Sequence, residues 1–329
     1  ESKHDSSVDF CYKTCGDPQN YREAIDSPQH QNWKQAMDDE IKSLQENNTY
    51  ELVNLPEGKT PVGGRWVYVT KEDAKGMKSF KARYVAKGYT QVQGIDYKET
   101  FSPTANITSV RALMQIAAQN DLIVHQMDVK TAFLHAPIDE EIYMEQPEGF
   151  VVKSSSGDQF VYKLKKSLYG LKQSGRNWNK VLHDHLCTNG FTQNPVDHCV
   201  YKQGTGDGVV LVIIWVDDIL IAASNETLMN QFKDTMKVTF RMKDLGKISY
   251  FLGIDFKQTD GKITMSQERY ITKMIEKFGM SDCKPRSTPC ECKPDDTNQF
   301  NNECVDPTKY REIVGSYVSR IFPANILYS

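Results

Sequence analysis

The sequence predicts an α+β protein in which antiparallel strand hairpins pack on amphipathic helices, and two observations carry that prediction. The apolar runs Val209–Ile214 and Ile219–Ala223 are separated only by Trp215-Val216-Asp217-Asp218, so they read as a hairpin with an acidic tip. Elsewhere apolar residues recur at helical spacing, as in Trp33, Met37, Ile41 and Leu44.

Residues up to about Gln29 are polar and read as a lead-in, and the Trp33 stripe then gives a helix ending at Glu46-Asn47-Asn48. Trp66–Thr70 and Phe80–Val85 are strands joined by the turn-forming Lys75-Gly76. Ser109–Ala118 is a helix with Val110, Leu113, Met114 and Ala117 on its apolar face. Leu122–Val129 is a strand, followed by Thr131–Leu134 and the breaker Pro137. Glu141–Glu145 and Phe160–Leu164 alternate as strands around the loop Lys153–Gly157. A long helix from near Leu171 to Asn189 stops at Gly190. The strand Cys199–Lys202 and the turn Gly204–Gly208 lead into the acidic hairpin. Ser224 or Asn225 caps the next helix, with Leu228, Phe232 and Met236 inward. Ile248–Phe256 and Ile263–Met265 form a hairpin around Thr259–Gly261, and Gln267–Phe278 is a helix. From Ser281 onward Pro, Cys, Asp and Asn dominate, which reads as a linker.

The 329 residues carry 39% hydrophobic and 25% charged side chains, ordinary values for a soluble protein, and no apolar run approaches a membrane span. The polar start Glu1-Ser2-Lys3-His4-Asp5 is no signal peptide. Eight cysteines include no CxxC pair, and neither Cys11 and Cys15 nor Cys290 and Cys292 have zinc spacing, so reduced thiols are expected. His183, His185 and Cys187 resemble a ligand cluster, but a spacing of two puts helical neighbours on different faces. The net charge of −3 argues against nucleic-acid binding, yet its distribution argues for it. Lys71 to Lys87 holds six bases against two acids, and Lys163 to Lys180 holds six bases and no acid. Interleaved aromatics (Phe80, Tyr84, Tyr89, Tyr169 and Trp178) suit a groove that tracks a phosphate backbone, while a solvated Lys-rich face would look the same.

Projecting two like charges from a tight apolar hairpin is unfavourable unless something neutralises them. A hard divalent cation does so through oxygen ligands, although Asp is also a common residue of solvated turns. A third acid, Asp128, ends an apolar strand 89 residues before Asp217. A strand-end carboxylate and a hairpin Asp-Asp can converge on a pair of metals about 4 Å apart, the arrangement suited to in-line phosphoryl transfer.

At this point Gln126–Leu134, Ser167–Gln173, Trp215–Asp218 and Tyr250–Ile254 resemble successive motifs of copia-type retrotransposon reverse transcriptases. Lys81–Gly88, Gly94–Tyr97 and Thr100–Pro103 resemble the same family's upstream blocks, in order from roughly Trp33 to Tyr310. The resemblance implies a right-hand polymerase: fingers and palm over residues 30–265, and a thumb with the start of a connection over 266–329. It implies RNA-directed DNA polymerisation with two Mg²⁺ or Mn²⁺ ions, dNTPs and a primed RNA or DNA template. Asp128, Asp217 and Asp218 would hold the metals with the carbonyl of Val129. Phe133 would be the aromatic gate under the deoxyribose. Arg83 would clamp the triphosphate, helped by Lys78 or Lys81. Tyr169 and Gly170 would lie against the nucleotide, with Lys172, Gln173 and Arg176 facing template or triphosphate. Phe251, Leu252 and Gly253 would form the primer grip, and Trp215, where relatives usually have Tyr, would touch the primer end.

The tail after Ser316 leaves the family pattern, so a truncation before any RNase H domain is expected. Integrase and RNase H regions of a Pol polyprotein are the expected partner domains, and the expected location is intracellular, in a cytoplasmic particle or the nucleus. Two rival readings are a degenerate or domesticated copy that binds nucleic acid without catalysis, and a metal-dependent nuclease.

Overall fold

The acidic hairpin lies inside a six-stranded antiparallel sheet with helices on both faces. A computed structural model describes residues 16–72, 77–153, 159–205, 208–259, 262–284, 306–318 and 325–328. In chain order it has α1 (Tyr21–Asp26), α2 (His30–Glu46), β1 (Tyr50–Val53), β2 (Gly64–Glu72), β3 (Lys78–Ala86), α3 (Ile107–Gln119) and β4 (Ile123–Val129). Then come β5 (Tyr143–Met144), β6 (Val161–Leu164), α4 (Ser174–Thr188), β7 (Thr192–Gln193), β8 (Val200–Gln203), β9 (Val210–Trp215) and β10 (Asp218–Ala223). The chain continues with α5 (Glu226–Thr239), β11 (Met242–Lys247), β12 (Tyr250–Phe251), β13 (Ile254–Thr259), β14 (Lys262–Ser266), α6 (Glu268–Lys277), α7 (Pro307–Val318) and β15 (Asn325–Tyr328).

The central sheet has the order β11-β4-β10-β9-β8-β7. Because side chains alternate across a strand, one face presents Met127, Val129, Ile214, Ile219 and Ile221, which pack under Trp178, Leu182 and Leu186 of α4 and Met229, Phe232 and Met236 of α5. The other face presents Val124, Ile213 and Leu220 to Val110, Leu113 and Met114 of α3 and to Phe251, Ile254, Phe256 and Ile263 of the β12–β14 unit. A separate core joins α1 and α2 to the β2–β3 hairpin and the β1-β6-β5 sheet, through Trp33, Met37, Trp66, Tyr68, Tyr84 and Tyr162. The α+β class and the antiparallel sheet packed on helices are therefore as expected.

Several local expectations are corrected. The long helix begins at Ser174, because Ser167–Gln173 is spent on turns around the left-handed Gly170. The strand expected over Ile248–Phe256 is split by Leu252 and Gly253, both at positive φ, into β12 and β13. Leu228 is only partly buried, and Met229 takes the inward place on α5. The stretch expected as linker contains α7 and the strand β15, which pairs with β14. The expected turns at Lys75-Gly76, within residues 154–157, at 206–207 and at 260–261 lie outside the described residues, as do Cys11, Cys15, Cys290 and Cys292. Among the described residues no helix is long and apolar enough to cross a membrane.

Candidate active site

Antiparallel register sets Asp218 of β10 directly opposite Asp128 of β4, with Trp215 of β9 on its other side and Lys243 of β11 beyond Asp128. Trp215, Asp218, Asp128 and Lys243 thus form one row across four strands on a single face. Asp217 stands one residue out of this row, at the hairpin tip. Its backbone carbonyl accepts the N–H of Val129 at 2.9 Å, and the Val216 carbonyl accepts the indole N–H of Trp178 at 2.7 Å. These bonds hold Val216 at φ 54, a left-handed conformation that costs a β-branched residue free energy and needs such over-determination.

The three acids are neighbours but do not share one ligand geometry. Asp217 Oδ2 accepts the hydroxyl of Tyr169 at 3.1 Å, and Asp218 Oδ1 accepts the amide of Gln126 at 3.0 Å. Each carboxylate thus has its own donor, and among the described residues no group of three His, Cys, Asp or Glu side chains is already drawn together around a cation position. Asp217 Oδ1 is buried and makes no hydrogen bond. Burial first, and then the charges of Asp128 and Asp218, push the Asp217 carboxyl up to about 7, against the opposing pull of Tyr169 and Arg83.

The β2–β3 hairpin brings the cationic side. Arg83 lies with its guanidinium 4.9 Å from the centre of the Tyr169 ring, and that ring lies 4.7 Å from Phe133. Burial, then the charge of Asp217, raises the Tyr169 hydroxyl well above its usual range, so the phenol stays protonated and donates. Alternation along β3 puts Lys81 on the face of Arg83, whereas Lys78 opens the strand on the other face. Gly170, at φ 93, makes its close approach to the hairpin: a Cβ there would lie 2.1 Å from the Ala86 carbonyl oxygen, and one on Gly88 would lie 2.0 Å from that of Gly170. The Ala86 N–H donates to the Tyr169 carbonyl at 2.8 Å, so Arg83, Tyr169 and Asp217 are linked through backbone as well as side chains.

Of the residues at the start of α4, Lys172 and Arg176 are exposed, with Lys172 Nζ 5.8 Å from the Tyr97 ring centre and Arg176 donating to the Phe101 carbonyl at 3.3 Å. Gln173 lies apart from these two. It is 1% exposed, and its amide serves Gln91, the Asp96 carbonyl and Glu140, so it braces a loop. Phe251 is a core residue, while Leu252 and Gly253 form the tight turn after it. Trp215 is half-buried against the α3-side core. Three residues were given no role from the sequence: Gln126, which holds Asp218; Lys243, opposite Asp128; and Glu40, half-buried beside β3. Only Glu40 left a signal, as an acid inside the apolar stripe of α2.

Comparison with known proteins shows the family of the chain. A family profile described as "Reverse transcriptase (RNA-dependent DNA polymerase)" matches residues 47–292. The "Retrovirus-related Pol polyprotein from transposon TNT 1-94" of Nicotiana tabacum is 41% identical over 277 residues, 83% of this chain and 21% of that protein. The corresponding polyprotein from transposon RE1 of Arabidopsis thaliana is 38% identical over 297 residues, 90% of this chain and 20% of that one. The chain therefore spans about a fifth of the length of these relatives. A solved foamy viral protease-reverse transcriptase in complex with double-stranded DNA matches at a TM-score of 0.42 and 14% identity, over 74% of this chain and 36% of that one. The chain belongs to the reverse transcriptase (RNA-dependent DNA polymerase) family.

Proposed function

We propose that this chain is the polymerising part of a copia-type retrotransposon Pol polyprotein, extending a primer 3′-hydroxyl with dNTPs on an RNA or DNA template. Family membership and one observation support the reading: a buried, unbonded carboxylate oxygen of Asp217 sits beside the facing pair Asp128 and Asp218. A hard-oxygen donor set with an uncompensated buried charge is the chemistry that a divalent cation satisfies. Asp128, Asp217, Asp218 and the Val129 carbonyl would hold two Mg²⁺ or Mn²⁺ ions, which when bound acidify the primer hydroxyl and neutralise the leaving pyrophosphate.

The chain's own groups do the positioning. Arg83, with Lys81 on the same face, would receive the triphosphate, where a guanidinium offers paired donors. Phe133, fixed against Tyr169, would pack under the sugar and exclude a 2′-hydroxyl. Lys172 and Arg176 would contact template phosphates, and Trp215 with the Leu252-Gly253 turn would guide the primer end. The division into fingers and palm (30–265) and thumb (266–329), the association with integrase and RNase H domains, and an intracellular location belong to the same proposal. Primer extension on a primed RNA template, wild type beside Asp217→Asn, tests it. Extension by the wild type alone is expected, and equal extension by both proteins would remove the metal assignment.

A further inference from the structure

Trp33, Ala36, Met37 and Leu44 of α2 are buried against the β2–β3 hairpin and its neighbours, and Glu40 sits in the same stripe, three residues after Met37 and four before Leu44. A carboxylate in such a stripe is costly unless it is paired. Its Oε1 accepts the backbone N–H of Tyr84 at 3.2 Å. Burial pushes the Glu40 carboxyl up to about 7, and the Tyr84 N–H and the neighbouring Arg83 charge pull against that rise. Glu40 thus meets β3 at the residue next to Arg83, on the strand whose Ala86 N–H also bonds the Tyr169 carbonyl, and the Arg83 guanidinium covers the Tyr169 ring that bonds Asp217.

We infer that Glu40 is a positioning residue: from the rigid helix α2 it holds the Arg83 guanidinium over Tyr169, at the carboxylate turn, where an anionic triphosphate would meet it. This rests on the polymerase reading above. The physical need is clear, because an Arg on a strand samples many rotamers, and a site works only when its contacting groups are locked by a supporting partner. Nothing in the reaction touches Glu40 itself, so its effect is exerted through Arg83 alone.

Glu40→Gln keeps an oxygen for the Tyr84 N–H and removes the charge, so the fold is retained and the melting temperature holds or rises. At pH 8, where Glu40 is ionised, Arg83 is titrated with phenylglyoxal and its modification is followed by peptide mass spectrometry, with exposed Arg311 as reference. Modification of Arg83 severalfold faster in Glu40→Gln is expected, and equal rates would overturn the inference. In primer extension the variant is expected to raise the dNTP KM about tenfold while kcat stays within about threefold. In an Arg83→Lys background the same change is expected to add less than about twofold. Additive effects, an unchanged KM, or a lowered melting temperature with unaltered Arg83 reactivity would reduce Glu40 to a packing residue. A wild type that extends no primer would dispose of the polymerase reading, and the labelling would still decide the role of Glu40.

Discussion

The hydroxyl of Tyr169 donates a 3.1 Å hydrogen bond to Oδ2 of Asp217, joining the loop before α4 to the tip of the β9–β10 hairpin. Tyr169→Phe separates the ring from its donor, because the phenyl still lies under Arg83 and against Phe133. Asp217 Oδ2 then joins Oδ1 without a partner, a loss worth about 1–3 kcal/mol at a buried charged group. Single-nucleotide extension is expected to slow about tenfold. The dNTP KM should change little, since the Arg83 stacking persists. A Phe variant as fast as the wild type would show that the bond has no part in placing the carboxylate.

Asp217 also sets a pH dependence whose sign follows from its direction of shift. Its folded carboxyl is raised from 3.8 to about 7, so the folded protein keeps a proton that the unfolded chain has already lost. Stability from this group is therefore present below about pH 4 and is lost as the pH rises through about 7. Asp217→Asn removes the penalty. In EDTA at pH 8 the variant should melt above the wild type, and the two should converge near pH 4. Mn²⁺ at pH 8 should raise the wild-type melting temperature and leave the variant unmoved. A variant that melts lower at pH 8 would contradict the buried, uncompensated charge.

The Gly170 contact can be tested against a matched control. Gly170 and Gly94 both have positive φ, at 93 and 85, but a Cβ on Gly94 meets nothing within 4 Å, whereas one on Gly170 meets the Ala86 carbonyl oxygen at 2.1 Å. Gly94→Ala therefore pays only the backbone cost, about 1 kcal/mol. Gly170→Ala also forces apart a hydrogen-bonded backbone pair, and a further loss of about 2 kcal/mol or more is expected in urea midpoints. Equal costs would mean that the loop yields freely, and the link from Arg83 to Asp217 would then be soft.

Much of this arrangement was legible in the chain. Leu122–Val129 and the acidic hairpin are long apolar runs with charge only at their ends, so both strands and their carboxylate tips could be read directly. The edge strand β11 could not, because Met242-Lys243-Asp244-Leu245-Gly246-Lys247 has neither alternation nor an apolar run and is held by its pairing with β4 through a register shift. The burial of Gln173 left no mark either, because a polar amide in a Lys-rich stretch looks exposed, while here it satisfies loop backbone. The bond between Tyr169 and Asp217 spans 48 residues and has no local pattern at all.

Behind the carboxylate strand, on the α5 face, lies a buried polar cluster with the opposite pH sign. Lys233 Nζ is 2.6 Å from His125 Nδ1 and 3.0 Å from Asp244 Oδ1, and so ties α5 to β4 and β11. An ammonium only donates, so His125 must be neutral with its proton on Nε2. Burial lowers the His125 pKa, as do Lys233 and Lys247, while Glu226 and Asp244 pull it back. A histidine depressed in the folded state contributes stability that is full above pH 6.5 and is lost as the pH falls below it. Asp217 and Glu40 gain stability over that same fall, so the wild-type slope mixes two opposing effects and only variants separate them. His125→Gln keeps an acceptor for Lys233 and removes the titration. Relative to the wild type, its melting temperature should be lowest at pH 8 and should recover by a few degrees by pH 5. A difference that stays constant from pH 8 to pH 5 would mean that His125 takes up no proton there and that the cluster acts by packing alone.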